Sequence, residues 1–361
     1  MPGGFFRAWP PSATIAAMFS EPAYQWRDPA WRRAAEAWIR RHAARLGQPV
    51  RGHIGDVRFL PWSAVLRAPT GRGDLYFKAC GASQAFEPAL AVYLAAAQPD
   101  CMIPVLAADP ARGRLLMPDG GALLTDAIRE PDGPNHWRRV LALLAGVQQA
   151  MIPHAADLLA LGLPDRRPLV LSGLLATLLE RPNRLLIGRP GALTTDDVAR
   201  LQTLTARVAD LAAELAAAGP PDTYVHDDLH EDHIFARPEP GGAWHYTFFD
   251  YGDACLTHPF MQLVARPRFA PGRFGIEGDK TMDSLHEDYL LRWGSFASLP
   301  ALRRALSIAL ALGGIMRAAT WINACGDQAD DLSPELRGFY AQGVAFWLRQ
   351  VRARVEGLDV T

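Results

Sequence analysis

The sequence contains almost no lysine. Of its 37 basic residues only Lys78 and Lys280 are lysines, and all the others are arginines. The two cations are not interchangeable at phosphates, because the guanidinium is a rigid planar fork and the ammonium is a compact charge on a flexible stem. A lysine kept in this background indicates a position that needs the flexible cation. The formal net charge of -1 gives no reason to expect nucleic acid or a membrane surface as a partner, and we expect neither.

Cysteine and long apolar runs are also scarce. The four cysteines lie far apart and form no C-x-x-C pair, which argues against a disulfide framework and a zinc finger. No apolar run reaches the about 20 residues that span a bilayer, and the richest, 305–316, predicts a buried helix. Arg7 and Pro10-Pro11 precede only a short apolar patch, so we expect a leader segment and not a signal peptide. These features predict a cytoplasmic protein.

Two common nucleotide-binding motifs are missing. The sequence has no G-x-x-x-x-G-K-[ST], which excludes a Walker-type phosphate loop. The segment GRGDLY at 71–76 contains G-x-G, but it lacks the third glycine and precedes a predicted strand, which argues against a Rossmann fold.

The first third of the chain predicts a helix followed by a small sheet. Residues 28–46 have an aspartate cap, a proline in the first turn and a glycine stop, which predict a helix. WSAVLRA and DLYFKAC predict a hairpin around PTGRG, and QAFEPALAVYLAAA predicts a second helix. IPVLAAD and GRLLMPD predict two more strands. The expected order is therefore β-β-β-α-β-β.

The rest of the chain predicts mainly helices. Apolar residues recur every three or four positions over 195–218, which predicts one helix, and 300–325 and 334–356 predict two more. We expect an α+β fold with a leader and helix at 1–48, a β-rich N-lobe at 49–118 and a larger helical C-lobe at 119–361.

Between these helices lies HDDLHEDHIF at 226–235, which places three histidines and four carboxylates within ten residues. IFA and WHYTFF then predict two strands joined by the turn PEPGG. In a hairpin the start of one strand lies beside the end of the other, so we expect His233 and Asp250 at one end, near the loop that carries Asp228. The cluster predicts a site for a transition metal, or for magnesium with a phosphate.

HDDLHEDHIF followed by FFDYGDA resembles the aminoglycoside phosphotransferase and choline-kinase-like family, which has a two-lobed protein-kinase-like fold. The family motif is His-Gly-Asp-Leu-His-x-x-Asn, then an apolar strand that ends in aspartate. The resemblance implies that Asp228 is the catalytic aspartate and Asp250 the principal magnesium ligand. It also implies a second metal ligand at position 233, where this chain has His233 in place of asparagine.

The resemblance extends over residues of about 50 to 260. LYFKA resembles the strand that carries the phosphate-binding lysine, here Lys78, and Glu87 in the next helix resembles its partner. LLMPDGG lies where the lobes of the family join, which implies that backbone groups near Met117 and Asp119 meet the adenine. The implied cofactors are ATP and Mg²⁺, or Mn²⁺, and the implied acceptor is a hydroxyl of an aminoglycoside, choline or another amino alcohol.

Physical chemistry agrees with these roles. Phosphoryl transfer needs positioning and charge neutralisation more than covalent chemistry. A carboxylate such as Asp228 can accept the proton of an incoming hydroxyl. Magnesium prefers hard oxygen ligands such as Asp250. For the acceptor, Asp253, Glu287 and Asp288 are candidates to bind a cationic amine, and Trp293 and Trp321 are candidates to stack on a ring or a quaternary ammonium.

Two alternatives from other classes remain open. His226, His230 and His233 with nearby aspartates could bind zinc, since HEDH resembles the core of metallo-β-lactamase-like hydrolases. That hypothesis leaves Lys78 without a role, and Asp228 stands where the first histidine of that motif is expected. The second alternative is a kinase-like fold that has lost catalysis and acts as a binding protein, as His233 at the asparagine position allows.

Overall fold

The computed structural model describes residues 26–127, 133–264, 278–325 and 332–358. These residues form two compact units. The sheet unit contains 26–121, 237–252 and 324–325. The helical unit contains 122–127, 133–236, 253–264, 278–323 and 332–358. Residues 1–25 of the predicted leader and helix at 1–48 lie outside the described residues.

The sheet unit is built on five antiparallel strands in the order β1-β2-β3-β5-β4. The strands are β1 Gly55–Leu60, β2 Ser63–Thr70, β3 Gly73–Cys80, β4 Ala107–Asp109 and β5 Arg114–Pro118. Helix α1 is Pro29–Arg45, and α2, Glu87–Ala97, lies between β3 and β4. The predicted order β-β-β-α-β-β is confirmed. Position 78 falls near the end of the central strand, opposite Val65 on β2 and Leu115 on β5.

Helix α1 packs on this sheet because one of its faces is apolar. Asp28 caps the helix by accepting a hydrogen bond from the N–H of Ala30 at 2.7 Å. Its buried residues, Ala35, Trp38, Ile39 and Ala43, recur at helical spacing. The ring of Trp38 lies 5.6 Å from that of Phe77 on β3. Helix α1 is therefore part of the sheet unit.

The helical unit contains most of the remaining helices. They are α3 Leu124–Ala127, α4 Gly133–Met151, α5 Ala155–Ala160, α6 Leu171–Leu179, α7 Thr195–Thr203, α8 Thr205–Ala216, α9 Gly278–Leu291, α10 Leu299–Cys325 and α11 Pro334–Gly357. The single helix predicted over 195–218 is wrong in one respect, since it divides into α7 and α8 at Leu204. There the N–H of Leu204 donates to the carbonyl of Leu201, three residues back, at 3.1 Å. The predictions for α10 and α11 are confirmed to within a residue at each end.

Helix α10 is long and apolar enough to cross a membrane by length and composition alone. However, 78% of its most apolar window is buried inside the protein. This agrees with the prediction of a buried helix at 305–316.

The predicted cluster lies in the sequence between strands of two short sheets. Strands β6 (Thr223–Val225) and β9 (Cys255–Thr257) pair antiparallel. Strands β7 (Ile234–Pro238) and β8 (Trp244–Phe248) form the predicted hairpin, and the boundary between the two units falls within β7. The cluster at 226–233 therefore occupies the connection from β6 to β7, and Asp250 follows the end of β8.

Candidate functional site

In the sheet unit, Lys78 is buried between two carboxylates. Its Nζ lies 2.6 Å from Oε2 of Glu87 and 2.6 Å from Oδ1 of Asp250. The Lys78 side chain is only 5% exposed and that of Glu87 only 2%. Strand β3 supplies the lysine and the first turn of α2 supplies the glutamate. The structure thus brings together three predicted site residues that are far apart in the sequence.

The charges of this group depend on one another. Burial alone would lower the pKa of Lys78, but Asp250 and Glu87 outweigh burial and raise it, so the lysine stays cationic. Burial raises the pKa of Glu87, against the opposing effect of Lys78. The thiol of Cys80 donates to Oε2 of Glu87 at 3.3 Å, and burial raises the pKa of that thiol well above its ordinary value. A thiol in this state is unreactive.

Asp250 is held by its backbone and by a residue that the sequence did not indicate. Its φ of 65° lies in the left-handed region, which aspartate tolerates better than most residues. The N–H of the next residue, Tyr251, donates to Oε1 of Glu87 at 3.0 Å. Nη2 of Arg58, on β1, lies 3.2 Å from Oδ2 of Asp250.

The segment predicted to meet the adenine continues β5. Met117 lies opposite Tyr76 on β3, and the N–H of Asp119 donates to the carbonyl of Asp74 at 3.1 Å. The backbone of both predicted residues is thus directed towards β3. On the opposite edge of β5 the carbonyl of Leu116 accepts a hydrogen bond from the N–H of Leu106 at 2.8 Å. Pro118 is the next residue whose backbone faces that edge, and a proline has no N–H to donate. A role of Met117 and Asp119 at the adenine stays a prediction.

In the helical unit, Asp228 lies in a tight turn. Its N–H donates to the carbonyl of His226 at 2.8 Å, and Asp227 between them has a φ of 62°. The family motif has glycine at position 227, and this left-handed backbone explains the preference, because glycine adopts it without strain. The N–H of His226 donates to the side chain of Gln262 at 2.9 Å, which anchors the start of the turn.

Three side chains of the loop could hold a metal ion. Ligand atoms of Asp228, His230 and His233 all lie within 4.8 Å of one another. Nδ1 of His230 accepts the N–H of Asp232 at 3.2 Å, so its proton is on Nε2, the atom that lies 3.7 Å from Oδ2 of Asp228. In this tautomer Nε2 of His230 carries a proton on the side that faces the carboxylate of Asp228. A nitrogen that carries a proton cannot bind a metal ion.

His233 has the opposite tautomer. Its Nδ1 lies 2.8 Å from the carbonyl of Asp228 and therefore carries the proton, which leaves the lone pair on Nε2. A backbone carbonyl that orients an imidazole in this way is a common support of a metal-binding histidine. Of the two histidines in this group, the geometry thus fits only His233 as a metal ligand. A zinc site normally needs three protein ligands, so the zinc hydrolase alternative loses its main support.

Asp228 belongs to a network of ion pairs and hydrogen bonds that the sequence did not predict. Arg317 on α10 places Nη2 3.0 Å from Oδ1 of Asp228, and its Nη1 donates to the carbonyl of Asp227 at 2.8 Å. The same Nη1 lies 3.3 Å from Oδ2 of Asp253. Arg166 places Nη1 3.3 Å from Oδ2 of Asp227. The sequence contained one indication of this network, Asp227 at the glycine position of the motif. A buried carboxylate at that position needs a cationic partner.

Of the predicted acceptor residues, Asp253 contacts Arg317, and Trp293, Glu287 and Asp288 are not arranged for a ligand. A role of Trp321 at the acceptor stays a prediction. Trp293 is fully buried and packs against other aromatic rings of the helical unit. Glu287 pairs with Arg303 at 3.0 Å, and Asp288 pairs with Arg138 at 2.7 Å. Burial excludes Trp293 from stacking on a substrate, and the two carboxylates already have cationic partners.

Residues 72–270 match the model of the phosphotransferase enzyme family. No curated protein matches the chain. Solved structures with the same fold include an aminoglycoside 2'-phosphotransferase-IIIa in complex with GDP (TM-score 0.55, 11% identity, 90% of this chain and 99% of that chain covered). They also include a choline kinase from Streptococcus pneumoniae (0.53, 14%, 90% and 99%) and an ethanolamine kinase from Plasmodium vivax (0.52, 11%, 83% and 81%).

These similarities agree with the sheet of the first unit and the helices of the second, and they confirm the predicted kinase-like fold. The matched segment includes β3 with Lys78, the loop with Asp228 and the residues around Asp250. It covers more than half of the chain. The chain therefore belongs to the phosphotransferase enzyme family.

Proposed function

We propose that this chain transfers the γ-phosphate of ATP to a hydroxyl of a small molecule. The observation that carries the proposal is the buried group of Lys78, Glu87 and Asp250. A flexible ammonium between two carboxylates can exchange one of them for a phosphate oxygen and keep the other. No structural role of the sheet needs a buried lysine, since an apolar residue at the same position of β3 would avoid its desolvation.

Asp228 serves as the base. Its carboxylate accepts the proton of the acceptor hydroxyl as the oxygen attacks the γ-phosphorus. The bond from that phosphorus to the bridging oxygen breaks, and ADP leaves with the electron pair. The products are a phosphate monoester, ADP and a protonated Asp228, which returns its proton to water.

The residues present fit magnesium. Asp250 offers the hard carboxylate oxygens that the ion prefers, and Nε2 of His233 offers a softer donor that suits manganese better. Each of these residues, considered within its own unit, is a candidate metal ligand, as the resemblance implies. Bound metal would neutralise the charge that develops on the phosphate oxygens. Lys78 and Arg58, the two cations now at Asp250, would then be available to the phosphates.

The substrate class rests on chemistry and on similarity of fold. The similar solved structures are kinases whose names specify aminoglycosides, choline and ethanolamine. We propose an acceptor of this type, an amino alcohol or aminoglycoside. The four cysteines are all unpaired thiols, which supports a reducing compartment such as the cytoplasm.

The experiment is an acceptor panel with purified protein. ADP release from MgATP is measured with aminoglycosides, macrolides, choline, ethanolamine and other amino alcohols, with Asp228→Asn as the matched control. We expect at least one acceptor to stimulate ADP release by the wild type and not by the variant. If no acceptor does so while MgATP binds, the chain is a nucleotide-binding protein and the proposal is wrong.

A further inference from the structure

The carboxylate of Asp228 is held by an arginine from a helix far away in the sequence. Arg317 lies on α10, 89 positions after Asp228. Its Nη2 donates to Oδ1 of Asp228 at 3.0 Å, and its Nη1 donates to the carbonyl of the preceding residue, Asp227, at 2.8 Å. One guanidinium therefore contacts both the side chain of Asp228 and the backbone of the turn that presents it.

Arg317 is itself fixed in place. Its side chain is only 8% exposed, and its Cζ lies 5.8 Å from the centre of the Trp347 ring on α11. Helices α10 and α11 pack closely near this point, since a Cβ added to Gly314 would lie 2.6 Å from the carbonyl of Trp347. The guanidinium thus extends from a packed helix pair, and its position does not depend on a mobile loop.

A second arginine supports the first. Nη1 of Arg166 donates to the carbonyl of Met316 at 3.1 Å and lies 3.3 Å from Oδ2 of Asp227. It also donates to the hydroxyl of Thr320, one turn from Met316 on α10. Because Asp227 contacts both arginines, it connects the loop to α10.

The charges of the network are nearly balanced. Three carboxylates, on Asp227, Asp228 and Asp253, surround two guanidiniums. Burial raises the pKa of Asp227, against the opposing effect of the two arginines. Burial alone would lower the pKa of Arg317, and the three carboxylates outweigh it and raise it. Since the sum of the charges is still negative, Arg317 can bind Asp228 without neutralising the whole cluster.

The geometry points to Arg317 as a positioning residue for the Asp228 carboxylate. By binding Oδ1 it sets the rotation of the carboxylate, which turns Oδ2 towards the side where His230 and His233 lie, at 3.7 and 3.8 Å. A fixed carboxylate presents its oxygen to the acceptor hydroxyl in one orientation, and loss of orientation by about 1 Å can cost about 100-fold in rate. The inference rests on the proposed function, because it assigns a purpose to the orientation of that base.

The positioning role of Arg317 is tested by the kinetics of three variants. The acceptor is the one that gives the largest ADP release in the panel. Arg317→Ala removes the guanidinium, Arg317→Lys keeps the charge, and Arg304→Ala is the matched control. Arg304 lies on the same helix and pairs with a carboxylate, Glu214, at 2.7 Å on the surface. We expect Arg317→Ala to lower kcat about 100-fold with less than about a threefold change in the KM for ATP. Arg317→Lys should recover part of that loss, and the control should match the wild type.

Chemical rescue separates positioning from simple loss of structure. Millimolar guanidinium, far below denaturing concentrations, should restore about tenfold activity to Arg317→Ala and none to Arg317→Lys, where the space is filled. If Arg317→Ala does not fold, Arg317→Lys alone decides, since a positioning role requires its kcat to fall while its KM for ATP holds. Wild-type kcat in the folded alanine variant, or an equal loss of kcat and ATP affinity, would overturn the inference.

A spectroscopic measurement makes the two proposals separately testable. In ¹⁵N-arginine-labelled protein, a guanidinium bound on both Nη atoms gives separate, slowly exchanging signals. We expect the Nη2 signals of Arg317, assigned with Arg317→Lys, to shift and exchange faster in Asp228→Ala, because only Nη1 is still bound there, and to stay unchanged in the surface variant Glu214→Ala. Unchanged Nη2 signals in Asp228→Ala would overturn the positioning contact whatever the enzyme does. If the Nη2 signals change as expected but the wild type phosphorylates no acceptor, the proposed function alone is refuted.

Discussion

Each unit buries a cation among carboxylates, and the two cations differ in kind. In the sheet unit Lys78 contacts Glu87 and Asp250 through one atom, Nζ. In the helical unit Arg317 contacts Asp228 and the backbone of Asp227 through two different nitrogens. A single ammonium can rotate away from one partner towards a new one, whereas a planar fork holds two groups at a fixed distance.

In the function that we propose, this difference accounts for the lysine at position 78 in a chain with 35 arginines. A cation that must move to a ligand is best carried on a flexible stem, and a cation that must hold a neighbouring residue is best built as a rigid fork. We therefore propose that Lys78 of the sheet unit binds the nucleotide phosphates and that Arg317 of the helical unit fixes the base, Asp228. The following predictions test this division.

The largest effect is expected from Asp228→Asn. The amide cannot accept the proton of the acceptor hydroxyl, so kcat should fall by about 10²–10⁴-fold. Affinity for MgATP, measured by calorimetry, should stay within about twofold, because the role that we propose for Asp228 is at the acceptor. If the variant loses rate and nucleotide affinity equally, Asp228 also contributes to nucleotide binding, and the proposed separation of its role from that of Lys78 is wrong.

Lys78→Met should damage both nucleotide binding and stability. The change leaves Glu87 buried without its cation, which costs about 3–5 kcal/mol in the free energy of unfolding. Urea titration measures that loss, and fluorescent-nucleotide titration measures affinity. Lys78→Arg is the matched variant: it should regain most of the stability but not the affinity, because the rigid fork cannot follow the phosphates. Full nucleotide affinity in Lys78→Arg would contradict the distinction between the two cations.

His258 provides a contrast, since it is a buried titratable group without an ion pair among the described residues. Burial lowers the pKa of His258 to about 3, below the value of about 6.5 expected in the unfolded chain. The unfolded state therefore binds more protons between these values, and stability is full above pH ~6.5 and declines as the pH falls. Asn at this position keeps an acceptor for the N–H of Phe260, which now donates to Nδ1 of His258 at 3.2 Å.

Urea unfolding at pH 7 and pH 5 checks this. The wild type should lose about 2 kcal/mol more than His258→Asn over that interval. The exposed His53→Asn should lose as much as the wild type. If His258→Asn shows the same loss as well, His258 is not the buried group that limits stability in acid.

The smallest effect is expected from His233→Asn, which restores the motif residue. An amide oxygen suits magnesium better than an imidazole nitrogen does, so magnesium-supported activity should rise a few-fold and the ratio of manganese to magnesium activity should fall. Steady-state rates in the two metals measure this ratio. A variant that is inactive in both metals would remove His233 from the metal site and leave its contact with the Asp228 carbonyl as its role.

Much of the fold follows from local patterns in the sequence. The cap at Asp28, the turn at PTGRG and the periodic apolar residues of α10 each fix an element by interactions within a few residues. The break at Leu204 does not follow, because the same apolar spacing continues from α7 into α8. Asp197 on α7 contacts Arg349 on α11 at 2.9 Å, a long-range contact that the local pattern does not contain.

The sequence predicted those residues of the candidate site that lie in a motif or belong to a residue type that is rare in this chain. Lys78 was visible because lysine is rare, and Asp228 because it lies in a dense acidic loop. Arg317 was not visible, since nothing distinguishes it from the other arginines until α10 brings it to the loop. The left-handed backbone at Asp227 was also hidden, because it depends on how the turn closes.

The most direct measurement of the central claim is ³¹P NMR of MgATP with the best acceptor from the panel. With the wild type we predict a new phosphate monoester signal that grows in step with ADP. With Asp228→Asn the ATP signals should persist, although the nucleotide still binds. Growth of inorganic phosphate without a monoester, or an equal rate of monoester formation by Asp228→Asn, would contradict phosphoryl transfer to a small-molecule hydroxyl with Asp228 as the base.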